Sequence, residues 1–256
     1  MYVIFLKLAL IGGIIGLDTT AVGQIMISQP LVTGAIMGLI LGDLPSGILI
    51  GTLLQLIWVM ALPIGGAVPP DTCLTTILAT TGGIMAGKSS PESVMLAIVI
   101  SFPAGFLSSR ADVILRQFNI RLMHWVELKL EEGKPQALYR GVMLGVLLFF
   151  LKNFLLLIIF LPLVFIIVRN LLLFLPEWGK RGLEISLRLL PALGIAVIIE
   201  SFTNRSRIPF FLAGGLISIL VIEWLKLPLS GWIFITLILW GITFLREKKL
   251  SGKSIS

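Results

Sequence analysis

Charge is the scarcest property of this sequence. Asp, Glu, Lys and Arg supply 13% of its 256 residues, against 57% that are apolar, and the mean hydropathy of +1.06 is far above that of a soluble domain. A water-soluble fold is excluded, because too few polar side chains remain to cover one. Cysteine is almost absent: the single Cys73 rules out an intrachain disulfide, and no Cys-x-x-Cys or Cys/His spacing offers a metal site. Histidine is equally rare, and the one His124 lies in a polar connection, where it reads as a surface residue rather than a phosphoryl carrier. There is no Walker loop, no dinucleotide fingerprint after a strand and no Gly-x-Ser-x-Gly elbow, which argues against an ATP-driven pump; no cofactor or metal is expected.

What is present is apolar sequence from end to end. Segments fall near 2–17, 30–42, 47–62, 72–87, 94–109, 141–168, 186–202, 208–225 and 228–245, with no long soluble block between them. The fold class expected is an all-α integral membrane protein, a single polytopic domain over 1–256. The start, "MYVIFLKLALIGGIIGLD", has no basic region before its apolar run and no cleavage site, so it reads as a retained membrane segment. Several segments are shorter than the roughly twenty helical residues that a bilayer core of about 30 Å demands. Broken or re-entrant helices follow, and "GDLPSG" between 42 and 47 marks a hairpin of short helices.

The formal charge of +7 could suggest nucleic acid, but the basic residues sit in short connections and at the end. The positive-inside bias accounts for them, with contact to lipid headgroups and none to nucleic acid. Residues 110–140 carry Val113, Ile114, Phe118, Leu122, Trp125 and Val126 at near-helical spacing among Arg110, Arg116, Arg121 and Lys129. They are expected to form an amphipathic helix on the cytoplasmic surface. The basic tail 246–256 is placed on the same side.

The chemistry concentrates between Pro30 and Gly83. Gly34, Gly38 and Gly42 recur every four residues, as do Gly47 and Gly51. These are stripes for close helix packing, within the chain or against other subunits. Pro63, Pro69 and Pro70 forbid a continuous helix from Leu62 to Asp71. Irregular backbone at membrane depth is tolerated only where it is buried in protein or lines a hydrated cavity, so "PIGGAVPPD" reads as a broken-helix tip facing a site. Gly65, Gly66 and Ala67 would let a ligand reach the backbone, with Pro69, Pro70, Asp71 and Thr72 beside it. Asp71 either caps the next helix or meets the ligand, and the two roles are compatible. Gln55, a polar amide in an apolar helix, either bonds a neighbouring helix or a sugar hydroxyl. Asp18, Gln24, Glu200 and Asn204 are weaker candidates. No intramembrane acid pair suited to a proton relay is visible among Asp18, Asp43 and Asp71.

The segments "QPLVTGAIMGLILGD", "GILIGTLLQLIWV" and above all "PIGGAVPPD" resemble the IIC membrane component of the mannose/fructose/sorbose class of the bacterial phosphoenolpyruvate-dependent sugar phosphotransferase system. "LPALGIAVIIESFTNRSRIPFFLAGGLIS" is a second match, whereas Arg110 to Gly182 matches poorly. Met60 and Ala61 stand where the family usually has Met-Gly, and Gly66 where Ala is common. The resemblance implies a sugar-translocating subunit in the bacterial inner membrane, with multiple spans. It also implies a IID membrane partner, several IIC–IID pairs assembling together, and soluble IIA and phosphorylated IIB delivering the phosphoryl group. No catalytic or phosphoryl-carrier residue falls on this chain. The competing readings are a stand-alone secondary transporter and a non-transporting receptor or scaffold.

Overall fold

The structure is a computed structural model, and it describes residues 2–59 and 68–202. The chain divides into two compact units, residues 1–201 and 202–256, and nearly all described residues fall in the first. Seven α-helices form among them: α1 (Tyr2–Leu17), α2 (Pro30–Leu41), α3 (Leu44–Trp58), α4 (Thr72–Gly87), α5 (Pro91–Glu131), α6 (Gln136–Phe174) and α7 (Glu177–Phe202). The all-helical membrane class is as expected: α5, α6 and α7 are long and apolar enough to cross a membrane.

The first four helices are not. They contain 16, 12, 15 and 16 residues, or roughly 18–24 Å of rise, against a hydrocarbon core of about 30 Å. Turn chemistry sets their ends. α2 stops at Gly42, whose φ of +80° is open to glycine, and the Asp43 N–H returns to the Gly38 carbonyl at 2.8 Å. Asp43 then caps α3 by accepting from the Ser46 N–H at 3.2 Å, while Pro45 occupies the first turn, where no donor is needed. α3 therefore begins at Leu44 rather than near 47, and it ends at Trp58.

α2 and α3 close on each other through their glycines. A Cβ on Gly34 would lie 2.6 Å from the Gly47 carbonyl oxygen, and one on Gly38 would lie 2.8 Å from the Gly47 Cα. The stripes of the two helices are thus spent on one another inside the chain. In lipid this matters, because close packing rather than apolar transfer drives helix association.

α4 lies at the centre, buried without interruption from Cys73 to Gly83. α1 packs against it and α6 with a face of Phe5, Leu8, Ala9, Gly12, Gly13 and Gly16, the three-and-four spacing of an amphipathic stripe. α6 answers with Asn153, Leu157, Leu161, Val164, Phe165 and Val168. Gly12 admits Leu157 and Ile77, and Gly16 admits Asn153. α7 adds Leu187 and Leu190 to a cluster with Ile50, Leu54, Ala79 and Ile98.

The expected separate surface helix over 110–140 is corrected. α5 runs unbroken from Pro91 to Glu131, because nothing between Gly105 and Gly133 interrupts its backbone ladder, and the change from apolar to polar composition does not end a helix. Gly133, at φ +75°, turns the chain, and Gln136 opens α6. The apolar residues of 113–126 divide between two faces. Leu122 and Val126 meet Leu138, Gly141 and Val142 of α6 across a groove of about 180 Å³, whereas Ile114 and Phe118 are exposed. The tail 246–256 and the segments 208–225 and 228–245 lie outside the described residues.

Candidate functional site

The ends of the short helices converge. A cavity of about 410 Å³ is lined by Asp18, Thr19, Thr20, Gln24, Met26, Ser28 and Gln29 from the α1–α2 connection, and by Val68, Pro69, Pro70, Asp71 and Thr72 before α4. Asp112 and Arg116 of α5 complete it. A second cavity of about 400 Å³ contains Gln29, Gln55, Trp58 and Thr72, and Met26, Gln29 and Thr72 border both. Of the residues expected from sequence, the structure brings Asp18, Gln24, Pro69, Pro70, Asp71 and Thr72 around the first cavity, and Gln55 with Thr72 around the second. Gly65, Gly66, Ala67 and Asn204 lie outside the described residues. Glu200 is exposed near the end of α7 and lines neither cavity.

Asp71 is held from four directions. Its Oδ1 caps α4 by accepting from the Leu74 N–H at 2.9 Å, and its own N–H donates to the Gly105 carbonyl at 3.1 Å. Oδ2 accepts from the Ser108 hydroxyl at 2.6 Å and faces the Lys152 ammonium at 3.4 Å. Lys152 also donates to Asp112 Oδ1 at 2.8 Å and to Ser108 Oγ at 3.1 Å. A lysine has three protons to give, and these three partners take them. The side chains of Lys152, Asp71 and Asp112 are only 9%, 9% and 13% exposed, a depth at which an unpaired charge would be untenable.

The acid that Asp71 approaches lies outside the set of Asp18, Asp43 and Asp71 read from the sequence: Asp71 and Asp112 flank one lysine. Lys152 and Asp112 went unnoticed in the sequence. The signal available was "FFLKNFLLL", where Lys152 and Asn153 interrupt the greasiest run of the chain. An ionisable residue there is a functional candidate by default. Asp112 was absorbed into the amphipathic pattern of 110–140.

Asp18 organises the α1–α2 connection. Its Oδ1 accepts from the Ile25 N–H at 2.7 Å, and its Oδ2 accepts from the Ser28 N–H and hydroxyl, both at 3.0 Å. These bonds hold a backbone with Gly23, Gln24 and Met26 at positive φ, which costs energy at the two non-glycine residues. Gln55, half-buried, bonds the residue that precedes α2: its Nε2 donates to Gln29 Oε1 at 3.1 Å. Both amides nevertheless border the second cavity beside Trp58, which packs edge-on against Phe102 at 5.0 Å. His124 is exposed and faces Glu127 at 3.0 Å, away from both cavities.

Carboxylates, amides and hydroxyls around the first cavity, and amides and one indole around the second, supply donors and acceptors for hydroxyl groups and an aromatic face for C–H surface. A family model described as "PTS system sorbose-specific iic component" matches residues 2–240. The PTS system mannose-specific EIIC component of Escherichia coli (strain K12) is 27% identical over 193 residues, covering 73% of this chain and 69% of that protein. The PTS system sorbose-specific EIIC component of Lacticaseibacillus casei is 25% identical over 208 residues, covering 80% and 71%. Among solved structures, the mannose transporter ManYZ in complex with microcin E492 aligns over 95% of this chain and 94% of its own, with a TM-score of 0.55 and 22% identity. That last likeness concerns the fold alone.

Proposed function

The chain belongs to the sorbose-specific IIC family of the phosphotransferase system, and from that membership we propose that the cavity beside Asp71 carries a hexose-type sugar through the membrane to be phosphorylated by a partner. It is a sugar-permease component and a membrane protein. The observation that carries the reading of the site is the convergence of short helix ends on Asp71. The cavity volume of about 410 Å³ is in the range of small-molecule sites, roughly 300–1,000 Å³. Helix ends that stop within a membrane protein and surround a cavity are how transporters expose backbone and side-chain polar groups to a substrate.

The partners follow from the family. A IID membrane chain pairs with this one, several pairs assemble together, and phosphorylated IIB, recharged by IIA, delivers the phosphoryl group as the sugar reaches the cytoplasmic side. The location is the bacterial inner membrane, crossed several times. Support comes from the family description and from the names of the relatives. A gradient-driven secondary transporter is the second reading, favoured by the Asp71–Lys152–Asp112 cluster, since buried ionisable groups in a membrane protein mark ion pathways as well as substrate sites.

The test is the chemical form of the accumulated sugar. Cells expressing the chain with its neighbouring phosphotransferase components are given labelled mannose or sorbose, and the label is expected to be recovered as sugar phosphate. Recovery as free sugar would overturn the reading.

A further inference from the structure

Asp71 has little left to offer a ligand: one oxygen caps α4, and the other takes both Ser108 and Lys152. Asp112 differs. Its Oδ1 receives Lys152, no described residue donates to its Oδ2, and the side chain borders the cavity. It sits on α5 one turn from both Ser108 and Arg116, so the α5 face carries a hydroxyl, a carboxylate and a guanidinium in succession. The charged groups around it are Asp71 at the start of α4, Arg116 on its own helix, Lys152 of α6 and, across the cavity, Asp18 of the α1–α2 connection.

Resting on the sugar-transport reading above, we propose that Asp112 is a further sugar-contacting residue of the cavity, and that Lys152 is the positioning residue that aims it. A carboxylate fixed by one oxygen presents the other as a strong acceptor for a hydroxyl. The single positive charge of the lysine lies between the two aspartates and offsets part of their mutual repulsion. An acceptor fixed in advance removes the cost of ordering it when sugar arrives.

The experiment uses the full chain co-expressed with its membrane partner and compares uptake of labelled mannose and sorbose by Asp112→Asn, Lys152→Met, Lys152→Arg and the Asp112→Asn/Lys152→Met double variant. Loss of one charged hydrogen bond to substrate should raise KM by about ten- to a hundredfold with Vmax little changed. Lys152→Met should do the same, Lys152→Arg should retain most of the affinity, and the double variant should be no worse than the worse single, because the two residues act as one unit. A wild-type KM for Asp112→Asn, or additive losses in the double variant, would overturn the proposal. A second readout does not depend on transport: a hydrophobic carbodiimide, which labels carboxyls in apolar surroundings, should label the chain more in Lys152→Met than in the wild type, at a carboxyl that has lost its ammonium partner. Equal labelling in both would refute the lysine's role. A wild-type chain inert toward both sugars but showing this labelling difference would instead sink the choice of substrate class.

Discussion

Asp71 and Lys152 meet at 3.4 Å between the start of α4 and the middle of α6, joining residues 81 positions apart in the most aliphatic part of the chain. The same aspartate caps α4 and borders the cavity, so fold and site share one carboxylate.

Asp71→Asn separates the two roles. The amide oxygen still caps α4 in place of Oδ1, the amide NH2 replaces Oδ2 and faces Ser108 Oγ as a donor, and Lys152 keeps Asp112, so insertion and membrane level should remain normal. Uptake should fall by about a hundredfold, because the variant removes one of the two charges that hold Lys152, and Lys152 holds Asp112 at the cavity. Near-normal uptake by a well-expressed variant would remove Asp71 from the site. Gln55→Leu should cost less, and part of its effect should be structural, since Gln29 loses its partner.

Gly34→Val should uncouple α2 from α3. The added Cβ would lie 2.6 Å from the Gly47 carbonyl, and backbone cannot yield as a side-chain tip can, so a loss of about 1–3 kcal/mol or more is expected. Thermal unfolding in detergent reads it: a melting point well below that of the wild type is expected. An unchanged one would contradict the hairpin packing.

Much of this architecture was legible in the sequence, and the reason is local. Asp43, Pro45 and Gly42 set a hairpin by their own backbone preferences, and Pro69 and Pro70 keep the described residues just before Asp71 out of a helix. The continuity of α5 was not legible, because hydropathy reports the solvent a face meets and not whether the backbone ladder is broken: polar Arg116 and apolar Ile114 suit the same helix. The cluster of Asp71, Asp112 and Lys152 was hidden for another reason. Its members come from three elements, and only packing brings them together. Lys152 alone signalled that a partner had to exist.

At the other end of the short helices, Asp43 links two turns. Its carboxyl lies below the usual aspartate range, chiefly because the Ser89 hydroxyl hydrogen-bonds it, with Ser46 of its own turn adding to the effect. A depressed folded pKa means that the stabilisation is complete above the unfolded value of about 3.9 and is lost as the pH falls through the lower folded value. Asp43→Ala should therefore be less stable than wild type by about 1 kcal/mol at neutral pH, the usual worth of a cap. The two should converge in acid. Melting curves measured in detergent at both pH values check this, and a gap that widened in acid would contradict it.

The central claim is that this chain moves sugar on energy supplied by phosphorylation. It is tested most directly in inside-out vesicles containing the chain and its membrane partner, with labelled sugar enclosed and phosphorylated IIB added outside. Sugar phosphate should emerge only when phosphorylated IIB is present, and at an undiminished rate when ionophores collapse the proton and sodium gradients. Movement of unmodified sugar that stops with the ionophore and ignores IIB would contradict the account and make the Asp71–Lys152–Asp112 cluster part of an ion-coupled transporter.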